Sequence, residues 1–168
     1  MNSISLHRLT RRGLFAAIWL ALSFALAFGA GLRINPTPSL PKGIYRIVSD
    51  TPAKNDLVSF CLEGEFAELA LERGYLEPGS CPSGLRPLLK RLVGLPGDTV
   101  TPSSYPICLA DSQGRSMSPA LTPGVVPPGM ALVLADHPGS FDSRYFGFVP
   151  LEKLQWVEPV FTFNPKGN

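Results

Sequence analysis

Ser39 stands in Thr37-Pro38-Ser39-Leu40-Pro41-Lys42-Gly43-Ile44-Tyr45, where prolines on both sides restrict the backbone and discourage regular structure. A serine hydroxyl becomes a nucleophile for acyl transfer only when a base takes its proton, and without one Ser39 reads first as a turn serine. The chain has two histidines, His7 and His137, and His137 lies in the turn sequence Asp136-His137-Pro138-Gly139 with nothing to complete a Ser/His/Asp set. Lysine is the other base. A free lysine titrates near ~10.4, so poising one near neutrality takes roughly 4.6 kcal/mol of selective destabilisation of the ammonium, which only removal from water supplies. Lys90, in Leu88-Leu89-Lys90-Arg91-Leu92-Val93, has the apolar neighbours for this, and strand alternation sends Arg91 to the opposite face. A surface strand lysine is the competing reading of the same residues.

Around these residues the pattern is one of short strands. The chain of 168 residues is 45 % hydrophobic and 17 % charged, too apolar for a disordered chain, and its 18 prolines and 16 glycines disfavour long helical bundles. Ile44 to Phe60 reads as two strands around a Pro/Asn/Asp turn. In Glu63 to Leu76, Phe66, Leu69, Ala70 and Arg73 recur at helical spacing and Gly74 follows, which predicts one short helix with Glu63, Glu65, Glu68 and Glu72 on its solvated side. Leu88 to Val93 is a strand closed by Gly94, Pro96 and Gly97; Asp98 to Pro128 is turn-rich with short strand candidates; Met130 to Ala135 is the best strand of the C-terminal half.

The first 32 residues carry Arg8, Arg11 and Arg12 and no acid, whereas the rest holds 12 basic and 13 acidic residues with no basic run, which argues against a nucleic-acid protein. Gly13 to Leu32 is free of charge and about 30 Å long as a helix, enough to span a bilayer. The basic flank predicts a cytoplasmic tail at 1–12, a transmembrane anchor at 13–32 and an extracytoplasmic domain at 33–168. Ala25-Leu26-Ala27 has the look of a cleavage site, but the apolar run continues past it and is longer than a signal core, so a retained anchor fits better. Cys61, Cys81 and Cys108 then lie where disulfides form; they allow one bridge in three ways, and Cys61 with Cys81, closing a loop in what looks like an insertion, is favoured. No Cys-x-x-Cys or Cys/His cluster suggests zinc, and no metal, nucleotide or organic cofactor is implied.

Lys90-Arg91-Leu92-Val93-Gly94-Leu95-Pro96-Gly97-Asp98 resembles the box around the general-base lysine of the type I signal peptidases. Val126-Pro127-Pro128-Gly129 through Ala135-Asp136-His137, then Ser140-Phe141-Asp142-Ser143-Arg144-Tyr145-Phe146-Gly147, resembles their C-terminal box. With the serine segment, three boxes stand in the family's order from Thr37 to Gln155, and an ordered set is far more specific than one motif. The serine box, Pro-Ser-Leu-Pro-Lys-Gly-Ile-Tyr-Arg, is similar to that of the TraF-type conjugative transfer peptidases rather than to the Ser-Met-x-Pro-Thr of housekeeping leader peptidases.

The resemblance implies a mainly β fold, an antiparallel domain of two joined sheets with one short inserted helix behind a transmembrane helix. It implies Ser39 as nucleophile and Lys90 as general base, with the Ser39 N–H and the Thr37 hydroxyl at the oxyanion. Ser140 would orient the Lys90 amine; Asp142 would act with Arg144, either in catalysis or as a structural ion pair. Where the family has Gly-Asp-Asn this chain has Ala135-Asp136-His137, which bears on the local loop, and His137 is read as a bystander. The expected activity is maturation of a membrane-embedded pre-pilin of a conjugative transfer system, by hydrolysis or by cyclisation, with the lipid bilayer and type IV secretion components as partners and no nucleic acid. A general signal peptidase acting on pre-proteins is the runner-up, and a catalytically silent anchored assembly factor is the reading from another class. A soluble self-cleaving repressor with the same Ser/Lys chemistry is opposed by the spanning segment.

Overall fold

Residues 88–94 alternate strictly between buried and half-buried, the signature of a strand with one face on a core, and this strand holds the middle of the fold. The structure is a computed structural model describing residues 3–37, 40–101, 103 and 105–163, with side chains from residue 11 onward. A first helix, α1 (Ser3–Gly29), is followed by β1 (Leu32–Asn35), β2 (Gly43–Ile47), β3 (Leu57–Phe60), α2 (Glu65–Glu72) and β4 (Leu88–Gly94). Then come β5 (Thr99–Val100), β6 (Gly124–Val125), β7 (Met130–Leu134), α3 (Ser143–Phe146), β8 (Val149–Pro150) and β9 (Gln155–Thr162). Among the described residues, seven strands form one antiparallel sheet in the order β1-β2-β9-β3-β4-β7-β8, and β5 with β6 forms a separate ribbon.

The mainly β antiparallel class expected from the sequence is the class observed. The sheet count differs, since one continuous sheet with a small ribbon stands where two joined sheets were implied. The strands expected in 44–60 are β2 and β3, but they do not pair with each other. β9 inserts between them, pairing with β2 through Tyr45↔Pro159 and with β3 through Val58↔Trp156. Nothing in the sequence reading assigned β9. Pro159 breaks its pattern, and the sheet absorbs this proline, which has no N–H for the ladder, at a register slip between Ile44 and Tyr45.

The larger apolar cluster lies under one face of the sheet: Val58 and Phe60 of β3, Leu88 and Leu92 of β4 and Ala131 and Val133 of β7 meet Ala67 and Ala70 of α2 and Phe141, Tyr145 and Phe146 at α3. Leu132 and Leu134 point the other way into a second cluster with Val100, Leu121 and Val126. β7 is therefore covered on both faces, which is why its sequence is an unbroken apolar run. α2 begins and ends inside the predicted 63–76 segment; Gly74 takes φ +67° just past it, and its N–H closes on the Leu71 carbonyl at 3.1 Å. The Cys61–Cys81 bridge is formed and Cys108 is a free thiol. A second helix, α3, was not anticipated; it starts where the Asp142 side chain accepts from the Arg144 backbone N–H.

Arg11–Gly29 of α1 is long and apolar enough to cross a membrane. The helix ends three residues before the expected boundary, because Ala30 and Gly31 turn the chain and Leu32 already belongs to β1. Gly31 has φ +80°, and its carbonyl accepts from the Ile47 N–H at 3.0 Å. The helix thus runs into the sheet through a tight turn with no free linker.

Candidate active site

Lys90 occupies the buried phase of β4, between Leu88 and Leu92 and directly across from Val58, and is 2 % exposed. Burial in these apolar surroundings pulls its amine down from 10.5 to about 8; the Asp142 carboxylate opposes this and the Arg144 guanidinium assists it. Arg91 takes the outward phase, where its guanidinium donates to the Asn55 carbonyl at 2.9 Å and lies 3.6 Å from Asp136. The alternation expected at this pair is the alternation seen.

The register Arg91↔Leu134 brings Ala135, one residue past β7, level with Lys90. The Ala135 N–H donates to Asp142 Oδ2 at 2.9 Å, so the loop after β7 folds back over the lysine. Asp142 is fully buried and Arg144 is 3 % exposed, and they form a two-pronged ion pair: Nε donates to Oδ1 at 2.8 Å and an Nη2 proton goes to Oδ2. The Arg144 backbone N–H adds a third bond to Oδ1, and the guanidinium also donates to the carbonyls of Pro106 (3.0 Å), Ala135 (3.3 Å) and His137 (3.0 Å). Burial works against the Arg144 charge, but the bonds and charge of Asp142 outweigh it and raise the guanidinium pKa. Both Asp142 oxygens are engaged by these partners, the geometry of a structural clamp beside the lysine. Ser143, also fully buried, accepts from the Val133 N–H at 3.0 Å and ties the same segment to β7.

Ser140 is half-buried in the loop ahead of α3, where its backbone N–H donates to the His137 carbonyl at 3.1 Å; its hydroxyl has no hydrogen bond to a described residue. The exposed His137 ring accepts from the Gly139 N–H within its own turn at 3.1 Å. Ala135 has no positive φ, so the methyl that replaces the family's glycine adds no backbone strain.

Ser39 and Pro38 lie outside the described residues. Their flanks do not. The hairpin β1–β2 closes with Asn35↔Gly43, which brings the two ends of 36–42 together at one end of the sheet. Thr37 is exposed on this loop, and its hydroxyl lies 2.7 Å from Asn35 Oδ1, an acceptor, so the single hydroxyl proton points at Asn35. Service at an oxyanion would require that bond to be given up. Gly43 is needed at the loop's exit because a Cβ there would run into the Phe161 carbonyl and come within 2.8 Å of Thr162 Cα on β9. Asn35 and Tyr45, both buried and both bonded to this loop, were given no role in the sequence reading. Tyr45 ends the quoted serine segment, but nothing local in its spacing shows that its hydroxyl returns to Pro41.

Among the described residues no group of three or more His, Cys, Asp or Glu side chains is arranged to hold a metal. The chain matches the family model described as signal peptidase, peptidase S26, over residues 8–112 and 103–157. It is 38 % identical over 163 residues to the "Conjugal transfer protein TraF" of Agrobacterium fabrum, covering 87 % of this chain and 92 % of that one. It is also 38 % identical over 167 residues to the protein of the same name from Agrobacterium tumefaciens (89 % and 93 % covered). To the "Plasmid transfer protein TraF" of Escherichia coli it is 32 % identical over 179 residues (94 % and 98 % covered).

Proposed function

Because the chain belongs to the signal peptidase family, peptidase S26, we propose that it is a membrane-anchored serine endopeptidase in which Lys90 deprotonates Ser39, and that it matures the pilin of a conjugative transfer system. The observation that carries the chemistry is the Lys90 amine: buried in the apolar face of β4 and lowered to about 8, it is neutral in roughly a tenth of molecules at pH 7, where a free lysine would be neutral in a few per ten thousand.

The neutral amine takes the Ser39 proton as the Ser39 oxygen attacks a substrate carbonyl. The tetrahedral oxyanion collapses, the scissile C–N bond breaks, and the leaving amine takes the proton back from the Lys90 ammonium. The resulting ester is opened either by water, which leaves a trimmed linear peptide, or by the substrate's own N-terminal amine, which closes a ring. The names of the relatives support a substrate belonging to plasmid transfer. The direct passage from α1 into β1 supports a membrane-embedded one, since the loop 36–42 leaves the far end of β1 within ~25 Å of the helix end by chain length alone. The basic flank of α1 supports a cytoplasmic N-terminus and an extracytoplasmic site.

The test is the intact mass of small membrane peptides from cells carrying the wild-type chain or Ser39→Ala. A single pilin-sized peptide processed only with the wild type is the expected result, and a mass one water below its trimmed linear form identifies cyclisation. Several uncut leader peptides accumulating with Ser39→Ala would make the chain a general signal peptidase. Identical profiles would overturn the enzymatic reading.

A further inference from the structure

Asn35 is 8 % exposed at the end of β1, and its amide is used on both sides. Oδ1 accepts from the Thr37 backbone N–H at 3.2 Å and from the Thr37 hydroxyl at 2.7 Å. Nδ2 faces the carbonyls of Thr37 at 3.3 Å, Leu40 at 3.4 Å and Pro41 at 3.2 Å. The partners settle which end is oxygen, because a backbone N–H only donates and a carbonyl only accepts. One side chain therefore holds the backbone before and after the pair 38–39. From the next strand the Tyr45 hydroxyl, on a residue 1 % exposed, donates to the same Pro41 carbonyl at 2.5 Å.

The loop needs this outside support for a chemical reason. Pro36, Pro38 and Pro41 have no N–H, so a loop this rich in proline has few donors with which to tie itself down. Tyr45 is also one of the most deeply buried side chains of the chain, so its ring is fixed by burial while its hydroxyl is spent on the loop.

We infer that Asn35 is the positioning residue of the nucleophile loop, with Tyr45 as its second support, and that the chemical step depends on their hold on residues 37, 40 and 41. The inference rests on the peptidase reading. Positioning of this kind acts on the chemical step, because an error of about 1 Å in a reacting group costs on the order of 100-fold in rate while leaving substrate binding nearly intact.

The experiment uses the full-length chain in phospholipid vesicles and, as probe, a synthetic copy of the membrane peptide whose mass depends on Ser39. Asn35→Ala should lower kcat about 100-fold and Tyr45→Phe about tenfold, each with KM within about threefold of wild type. The rising limb of activity should stay near pH 8, since the cover of Lys90 is untouched. The double variant should lose less than the product of the single losses, because the two side chains share the Pro41 carbonyl. Unchanged kcat in Tyr45→Phe and Asn35→Ala would overturn the inference, as would a loss that appears in KM alone or only in parallel with a fall in unfolding midpoint. Should Asn35→Ala not fold, Tyr45→Phe, which deletes one oxygen, decides by the same criteria. Ser39→Ala separates the two levels of the argument: if it processes the probe, or if no peptide depends on Ser39, the peptidase reading fails and takes the inference with it; if it is inactive while both support variants are normal, only the inference fails.

Discussion

A protonated Lys90 is a buried charge without a carboxylate of its own, because Asp142 is committed to Arg144 and none of the ion pairs among the described residues includes Lys90. The amine titrates near 10.5 in the unfolded chain and at about 8 in the folded one, so the unfolded state binds the extra proton between those values. Folding stability therefore rises with pH across that window, and below it the fold carries a cost of about 3 kcal/mol. Lys90→Met should abolish processing and yet raise the stability measured by urea unfolding at pH 7 by about 2–3 kcal/mol, with the gain fading as the pH approaches 10.5. In the wild type the processing rate should climb about tenfold per pH unit up to about pH 8 and then level off. The neighbours shift that midpoint in opposite directions: Asp142→Asn removes the charge that holds the Lys90 pKa up and should move the limb to lower pH, whereas Arg144→Gln should move it higher. Both should also destabilise by about 3–5 kcal/mol, since each strands one member of a buried pair.

Among the elements, β9 is the piece on which the geometry of the serine loop depends. It lies between β2 and β3, and its backbone passes so close to Gly43 that no side chain fits there. Gly43→Ala should force β2 and β9 apart, lowering stability by about 1–3 kcal/mol in chemical unfolding. The activity loss should exceed what the unfolded fraction explains, because the displaced residue ends the loop that carries Ser39. The inserted α2 segment is a different case. Its Cys61–Cys81 bridge joins positions 20 residues apart, and the loop-entropy estimate assigns such a bridge about 3 kcal/mol. Cys61→Ala with Cys81→Ala should lower the unfolding midpoint accordingly, with kcat of the folded molecules unchanged because Lys90 is held by β3 and β7.

For the molecule as a whole, the consequence of the architecture is location. α1 turns into β1 through Ala30 and Gly31 and the sheet begins at once, so only two residues separate the end of the helix from the sheet. Removal of residues 1–29 should leave the Lys90 pH limb in place while reducing processing of a bilayer-embedded peptide much more than processing of the same peptide in detergent. Comparison of the two rates for the full-length and shortened chains measures this directly.

The residue types, their order and their local periodicities were sufficient for the apolar N-terminal helix, the β class, the helix after Glu63, the alternation at Lys90 and Arg91, and the favoured cysteine pair. These depend on neighbours within a few positions, or on a short loop, and composition and period report such neighbours directly. Tertiary structure alone decided the rest. It placed β9 inside the sheet, between β2 and β3, in spite of Pro159, because a register slip in β2 accommodates the missing N–H. It also turned Asp142 and Arg144 into a closed pair, since that depends on Ala135, Pro106 and His137 arriving from other segments. The support of the serine loop by Asn35 and Tyr45 is of the same kind: an asparagine after a strand and a tyrosine in the next one become partners of one carbonyl only when the hairpin between them is closed.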